Sequence, residues 1–165
     1  MKAKKLTLYA LLAVLGMAFS YLESFIPLSL IVPGLKLGLA NGIVLLLLGA
    51  RDIKGAFTVN IVRICLSSLL FGTPMSFLFS LIGGVLSTVA MIPAVKIPKT
   101  SLVSAGVIGG ATHNLGQAVA ACLTFGTASV LTLAPTLCLM GAVCGLLTGI
   151  VSNLLINNKH IHKLF

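Results

Sequence analysis

Long apolar runs are the feature that most limits how this chain can fold. Hydrophobic residues make up 58% of its 165 residues and charged residues only 8%, whereas soluble domains carry roughly 25% charged residues. A helix needs about 20 apolar residues to cross a bilayer, so the length allows five to seven crossings. The sequence therefore predicts an all-α, polytopic membrane protein that forms a single domain, residues 1–165.

Breaks between the apolar runs predict six helical segments. A stretch broken by Pro33, Gly34 and Gly38 leads into the second segment, which is short for a crossing of its own. Irregular backbone is tolerated at membrane depth where it lines a cavity or is buried in protein. The predicted segments are residues 6–26, 37–50, 55–71, 74–95, 102–125 and 130–156.

The basic residues predict the orientation of the six segments. Nine of the eleven fall on one side of the predicted membrane, and the positive-inside rule makes that side cytoplasmic: Lys2, Lys4, Lys5, Arg51, Lys54, Lys96, Lys99, Lys159 and Lys163. We therefore expect a multi-pass protein of the cell membrane with both termini in the cytoplasm. The net charge of +9 then reflects topology, and no nucleic-acid partner is expected. Asp52 is expected only to offset charge in its loop.

The remaining polar residues within the apolar segments are candidates for a site, because each is costly in lipid. In the third segment, Asn60, Arg63 and Ser67 share one helix face. Arg63 would either bind a ligand or tie helices together through Glu23 or backbone carbonyls, and a Glu23–Lys36 salt bridge would fit the predicted geometry. The candidates are Glu23, Lys36, Asn41, Asn60, Arg63, His113, Asn114 and Gln117. With two cations against Glu23, they favour an anionic or polar ligand.

The fifth segment combines two patterns. His113 and Gln117 lie four residues apart on one face, where they would either line a cavity or form a structural hydrogen bond. Asn114 belongs to a neighbouring row of small residues and is expected to pack against another helix. No second histidine or carboxylate stands at ligand spacing, and the four cysteines form no such pattern, so no metal site, intrinsic cofactor or catalytic residue is expected.

Small residues on two other segments predict close helix contacts. The sixth segment carries Gly141, Gly145 and Gly149 at four-residue spacing, and the first carries a looser set that includes Ala10, Ala13 and Ala18. Such rows serve either internal helix packing or the docking of another membrane protein.

Four blocks in order resemble the Gx transporter family, often labelled heptaprenyl diphosphate synthase component I: ESFIP (23–27), PGLKLGLAN (33–41), NIVRICLSSLLFG (60–72) and GGATHNLGQ (109–117). That family is similar to the S-components of energy-coupling factor (ECF) importers, six-helix proteins that capture a vitamin-like small molecule from outside. The resemblance implies that residues 33–41 belong to the cap or the rim of the site. It also implies that the Ala10–Ala18 face docks on a transmembrane coupling protein driven by two ATPases, although here Ala10, Val14 and Ala18 replace evenly spaced alanines.

The synthase label does not imply that this chain catalyses prenyl transfer. The familiar prenyl synthases hold magnesium and diphosphate with several carboxylates, whereas this chain has one aspartate and one glutamate, Asp52 and Glu23. It also lacks a phosphate-binding GxxxxGK[ST] loop, so ATP would be used only by partner subunits. The alternative to an importer subunit is a non-catalytic membrane subunit of a prenyl diphosphate synthase or of a flavin- or quinone-linked redox system.

Overall fold

The computed structural model of the protein describes residues 2–26, 36–98, 100–158 and 161, and these residues form six α-helices and no β-strand. A short 3-10 helix, Ala128–Leu133, precedes the last α-helix. Pro33, Gly34, Lys99, Lys159 and Lys163 lie outside the described residues. The all-α prediction is confirmed, and the six predicted segments match six helices in order: α1 (Lys2–Ser24), α2 (Asn41–Gly49), α3 (Ile53–Phe71), α4 (Pro74–Lys96), α5 (Leu102–Phe125) and α6 (Ala134–Asn157).

Four of the helices are long and apolar enough to cross a membrane: α1, α3, α4, and α6 together with the 3-10 helix before it. Their outward faces expose many large apolar side chains, of which Leu69 on α3 is 82% exposed. An apolar surface of this extent is unstable in water and is satisfied by contact with lipid. The protein is therefore a membrane protein.

The other two helices do not meet the criteria for independent crossing. Helix α2 has nine residues, or about 14 Å at 1.5 Å per residue, against a hydrocarbon core of about 30 Å. Helix α5 has 24 residues, which is long enough, but three polar side chains lower the hydropathy of its middle. They are His113, Asn114 and Gln117.

Three predicted helix starts are wrong by about four residues, and the first is that of α1, which begins at Lys2 instead of residue 6. Helix α2 begins at Asn41 instead of residue 37, because Gly38 has a φ of 89° and breaks the helical geometry. Helix α6 begins at Ala134 instead of residue 130, because the 3-10 helix occupies the preceding residues. The helix starts at Ile53, Pro74 and Leu102 lie at or within two residues of the prediction.

Helix α2 lies at the centre of the bundle and packs against all five other helices. Every residue of its stretch from Ile43 to Leu48 is buried. This burial on all sides explains why α2 is apolar around its whole circumference, which is typical of a core helix. The short α2 therefore works as a packing axis, and its first residue, Asn41, is brought into the interior.

Glycines allow α5 and α6 to approach so closely that their backbones touch. A Cβ atom placed on Gly110 would lie 1.9 Å from the carbonyl oxygen of Gly141, and one on Gly145 would lie 2.1 Å from that of Gly106. Gly149 meets the backbone of α5 in the same way. The predicted α6 ridge therefore faces inward and packs against α5, and it does not form an outward docking surface.

Asp52 organises the α2–α3 turn, so the expectation that it only offsets charge is wrong. Its Oδ1 accepts a hydrogen bond from the Gly55 N–H over 3.0 Å and thereby caps α3. Its Oδ2 lies 2.9 Å from Nζ of Lys5 and accepts a hydrogen bond from the Tyr9 hydroxyl. Partial burial raises the pKa of Asp52, but the hydrogen bonds from Tyr9, Lys5 and Gly55 outweigh this, and the pKa lies below its ordinary value of 3.8. Asp52 thus ties α1 to the turn.

Candidate functional site

Buried polar side chains from four helices converge on the segment 36–40, which enters the bundle just before α2. Their side chains are at most 4% exposed. Such burial of polar groups within an apolar bundle is costly and marks a candidate functional site. We call this set the polar cluster: Ser20 and Glu23 on α1, Asn41 on α2, Arg63 on α3, and His113 and Gln117 on α5.

Arg63 reaches from the middle of α3 toward α1 and α2. Its Nη1 donates to Oγ of Ser20 over 3.3 Å, and its Nη2 donates to Oδ1 of Asn41 over 3.1 Å. Gly16 makes room for the side chain, because a Cβ atom there would lie 2.8 Å from Cδ of Arg63. The guanidinium is therefore held by neutral groups of two other helices.

Glu23 holds the segment 36–40 by its backbone. Its Oε1 accepts a hydrogen bond from the Leu39 N–H. Neither possible ion pair of Glu23, with Lys36 or with Arg63, is present, since the only ion pair among the described residues joins Lys5 to Asp52. Arg63 and Lys36 nevertheless lie near enough to attract the carboxylate. Glu23 thus balances part of their charge and leaves both cations available.

Gln117 links the segment 36–40 to α5 and fixes the proton of His113. The Lys36 N–H donates to Oε1 of Gln117 over 3.0 Å, so the amide must turn its Nε2 toward His113, 2.7 Å from the ring Nε2. Since the amide nitrogen only donates, the imidazole Nε2 accepts and a neutral ring carries its proton on Nδ1. His113 is therefore a hydrogen-bond donor at Nδ1.

Gly38 lies between Asn41 and His113. With its φ of 89°, a Cβ atom would lie 2.9 Å from Nδ2 of Asn41 and 3.0 Å from Cδ2 of His113. Only glycine combines this backbone conformation with this contact. The position lets the segment 36–40 run between α2 and α5.

Three buried donors near this segment form no well-aligned hydrogen bond among the described residues: Nδ2 of Asn41, Nε of Arg63 and Nδ1 of His113, beside which the backbone of Gly83 lies. Buried donors are normally paired, and an unpaired one is destabilising unless a water, ion or ligand satisfies it. Donors without acceptors are suited to a ligand that presents oxygen atoms. The polar cluster can therefore bind an anion or a carbonyl-rich molecule.

Asn60 and Lys36 lie apart from the centre of the cluster. Asn60 shares its helix face with Arg63, but its Nδ2 donates to the Gly84 carbonyl and to Oγ1 of Thr88, each over 3.0 Å, and so joins α3 to α4. Lys36 is half-buried at the edge of the cluster and contacts it through its backbone. Asn114 lies outside the cluster and donates to the Leu137 carbonyl on α6 over 2.7 Å.

The small residues of α1 face in two directions. Ala10 and Ala18 are exposed, together with Val14, whereas Ala13 is 4% exposed and lies in the core. A docking surface on α1 would therefore include Ala10, Val14 and Ala18 and not Ala13. Among the described residues, no group of three His, Cys, Asp or Glu side chains is placed to hold a metal ion.

Two members of the site were missed by sequence reasoning. Ser20 is an acceptor for Arg63, and Gly38 separates Asn41 from His113. Ser20 lies three residues before Glu23 and so on the same face of α1, which is a signal that the helical period offered. Gly38 was recognised only as a helix breaker.

The fold and the site together define a helical membrane protein with a buried polar cluster. The family model for heptaprenyl diphosphate synthase component I matches residues 12–155. The chain therefore belongs to this family, which confirms the resemblance carried by its four sequence blocks. By its description, the family is one component of a synthase. No curated protein and no solved structure matches the chain.

Proposed function

We propose that this protein is the membrane-embedded substrate-binding subunit, or S-component, of an ECF-type importer. It would cross the cell membrane six times, with both termini in the cytoplasm, and capture a small vitamin-like molecule with anionic or polar groups from outside. The polar cluster with Lys36 would be its binding site. The supporting observation is the set of three buried donors on Asn41, Arg63 and His113 that lack a well-aligned hydrogen bond in the described part of the chain.

Charge supports an anionic or oxygen-rich ligand at this site. Lys36 and Arg63 face one carboxylate, Glu23, which already accepts the Leu39 N–H. A ligand carboxylate, phosphate or acidic ring group would pair with the surplus positive charge in a low-dielectric interior, where such pairs are strong. Asn41 and His113 would supply directional hydrogen bonds, and Asn60 would hold α3 in position from α4.

The segment 36–40 would act as the cap of this site. Its backbone is held by two side-chain acceptors, Glu23 at Leu39 and Gln117 at Lys36. In both bonds the segment supplies the N–H donor. A ligand with donors of its own could therefore replace the segment as the hydrogen-bond partner of Gln117 or Glu23. Capture of the ligand would then exchange bonds to the segment for bonds to the ligand.

Transport would require partners, because this chain carries no ATP-binding loop. A transmembrane coupling protein and two ATPase subunits would supply the energy, while the loaded subunit reorients in the lipid bilayer. The exposed face of Ala10, Val14 and Ala18 on α1 offers small side chains for close helix contact. This face is the proposed docking surface.

The binding site is tested by identifying the ligand that remains on the protein after purification. The wild type would be extracted in mild detergent and its small-molecule contents identified by mass spectrometry. We expect the amount of ligand that copurifies to fall at least about 10-fold in Lys36→Ala and in Arg63→Ala, since each removes a charged hydrogen-bond donor. Lys54→Ala removes one positive charge from an exposed position and should retain it. Unchanged ligand retention in both site variants would reject the site.

The family description favours a second function, that of a membrane subunit of a prenyl diphosphate synthase. We keep as its variant a non-catalytic subunit of a flavin- or quinone-linked redox system. The chain offers no paired carboxylates for magnesium, because Asp52 contacts residues near the start of α1 and Glu23 lies near its end. Affinity purification in detergent separates the two functions. Recovery of ATPases with a coupling protein supports the importer, whereas recovery of a synthase or flavoprotein supports the accessory role.

A further inference from the structure

A cavity of about 250 Å³ lies between the end of α4 and the α2–α3 turn. Its walls are mainly apolar, with Leu48, Ile53, Ile92 and Val95 as the apolar residues and Arg51 and Lys96 as the basic ones. Leu48 is near the end of α2 that is opposite to Asn41. This basic cavity is therefore separate from the polar cluster and does not depend on the function proposed for it.

The two cations of the basic cavity have no acidic partner among the residues that the structure describes. The chain has only two acidic side chains. Asp52 is occupied by Lys5, Tyr9 and the cap of α3, and Glu23 lies in the polar cluster. Arg51 and Lys96 thus place uncompensated positive charge over an apolar recess.

Arg51 also adopts a backbone conformation that is unfavourable for a residue with a side chain. Its φ is 61°, and it follows α2 in a Schellman motif, with the Arg51 N–H on the Leu48 carbonyl and the Asp52 N–H on the Leu47 carbonyl, each over 2.9 Å. Glycine is the usual residue at this position. Strain of this kind concentrates at functional sites, and here the strained residue is one of the two cations of the cavity.

We propose that the basic cavity binds the phosphate headgroup of an acidic phospholipid from the surrounding membrane. Arg51 and Lys96 would pair with the phosphate, and the apolar walls would contact the carbons next to it. Basic pockets between transmembrane helices on the cytoplasmic side are suited to such headgroups, and the positive-inside rule places this end of the helices in the cytoplasm. The occupant is a lipid because both parts of the cavity, cationic and apolar, match an anionic amphiphile.

The test uses the full-length protein in neutral detergent, titrated with phosphatidylglycerol or phosphatidylcholine and analysed by native mass spectrometry. We expect selective retention of phosphatidylglycerol. The double variant R51Q/K96Q should lower that affinity about 30-fold, the effect of two basic residues near an acidic lipid surface. The control K4Q/K54Q removes two charges from exposed positions outside the cavity and should lower it less than about 3-fold. If both double variants lost phosphatidylglycerol affinity equally, the effect would come from the net charge of the protein, and the proposed site would be overturned.

Two further variants separate binding from folding. Arg51→Gly suits the positive φ, so it should raise the melting temperature by about 3 °C while it lowers phosphatidylglycerol affinity about 5-fold. Val95→Phe keeps both cations and fills the cavity, and should lower the affinity about 10-fold. Unchanged affinity in both variants would overturn the proposal.

Two outcomes would assign the cavity to another occupant. Inorganic phosphate that competes with phosphatidylglycerol at equal concentration would show a site for free phosphate and overturn the lipid assignment. A partner protein that is lost from R51Q/K96Q in detergent pull-downs, with phosphatidylglycerol retention unchanged, would show a protein-docking site instead. Selective loss of the lipid alone supports the proposal.

Discussion

Nη2 of Arg63 donates a hydrogen bond to Oδ1 of Asn41 over 3.1 Å, and this bond joins the middle of α3 to the first residue of α2. The Asn41 amide uses only its acceptor, because its Nδ2 has no partner among the described residues. The hydrogen bonds of the buried guanidinium are therefore made to neutral oxygens, and Glu23 balances its charge only in part. This arrangement holds the cation in position and leaves it able to pair with an anionic ligand.

Exchanging the Asn41 amide for a carboxylate should stabilise the empty protein and weaken anion binding. Asn41→Asp replaces the unpaired Nδ2 by an oxygen and converts the neutral bond to Arg63 into a charged one, worth about 1.5 kcal/mol. It also cancels the surplus positive charge of the site, so affinity for an anionic ligand should fall at least about 10-fold. Thermal unfolding followed with a thiol-reactive fluorogenic maleimide and equilibrium binding measure the two effects.

Asn60→Asp is the matched control for that exchange. Asn60 uses its donor toward the Gly84 carbonyl and Thr88, so a carboxylate would lose these bonds and stand unpaired in the interior. We expect it to lower the melting temperature, opposite to Asn41→Asp. Equal destabilisation by the two variants would contradict the roles given to the two amides.

Gly38→Ala should destabilise the protein more than Gly126→Ala. Both glycines have positive φ, 89° and 64°, which costs an alanine about 1 kcal/mol. A Cβ atom at Gly126 meets nothing within 4 Å, whereas one at Gly38 also meets Asn41 and His113. The difference in melting temperature between the two variants isolates the contact. No difference would show that the segment 36–40 is not packed between α2 and α5.

The sequence predicted helices better than contacts. The start of α4 was predicted correctly because Thr73 caps it and Pro74 takes its first position. The shared face of Asn60 and Arg63 follows from the helical period, and both are buried. The period does not tell which helix lies opposite, so Asn60 turned out to join α4 instead of the cluster.

Bonds between side chains and the backbone explain the main errors at the site. Glu23 was given Lys36 or Arg63 as possible partners, but it accepts from the Leu39 N–H. Asp52 was underrated because its partners include a backbone N–H at Gly55 and the distant Tyr9. Every residue except proline carries a backbone N–H group, so the amino-acid sequence does not identify which of these groups donates to a given carboxylate.

Gly110→Ala should separate α5 from α6. The added Cβ atom would lie 1.9 Å from the Gly141 carbonyl oxygen, and since that atom is backbone, the helices must move apart. Overpacking of this kind costs about 3 kcal/mol. The labelling rate of Cys144, which is buried on α6, should rise with a maleimide probe.

Gly42→Ala is the control for this helix contact. Its Cβ atom would lie 3.1 Å from Cβ of Thr148, a contact that a shift of a few tenths of an ångström relieves, so Cys144 labelling should stay near the wild-type rate. Unchanged labelling in Gly110→Ala as well would refute the close backbone contact between α5 and α6.

Asp52 should make the stability of the protein depend on pH in the acid range. The pKa of the folded carboxyl lies below 3.8, so its ionised form stabilises the fold above pH 3.8, and this contribution is lost as the pH falls through the lower, folded value. The melting temperature of the wild type should therefore fall as the pH drops below about 4.

Asp52→Asn keeps an N-cap acceptor but not the charge, and should flatten this pH dependence. Asp52→Ala loses the cap as well, at a cost of about 1 kcal/mol at neutral pH. Glu23 is the only other acidic side chain, so an acid slope that persists unchanged in Asp52→Asn would point to Glu23 or to the terminal carboxyl and contradict the role of Asp52.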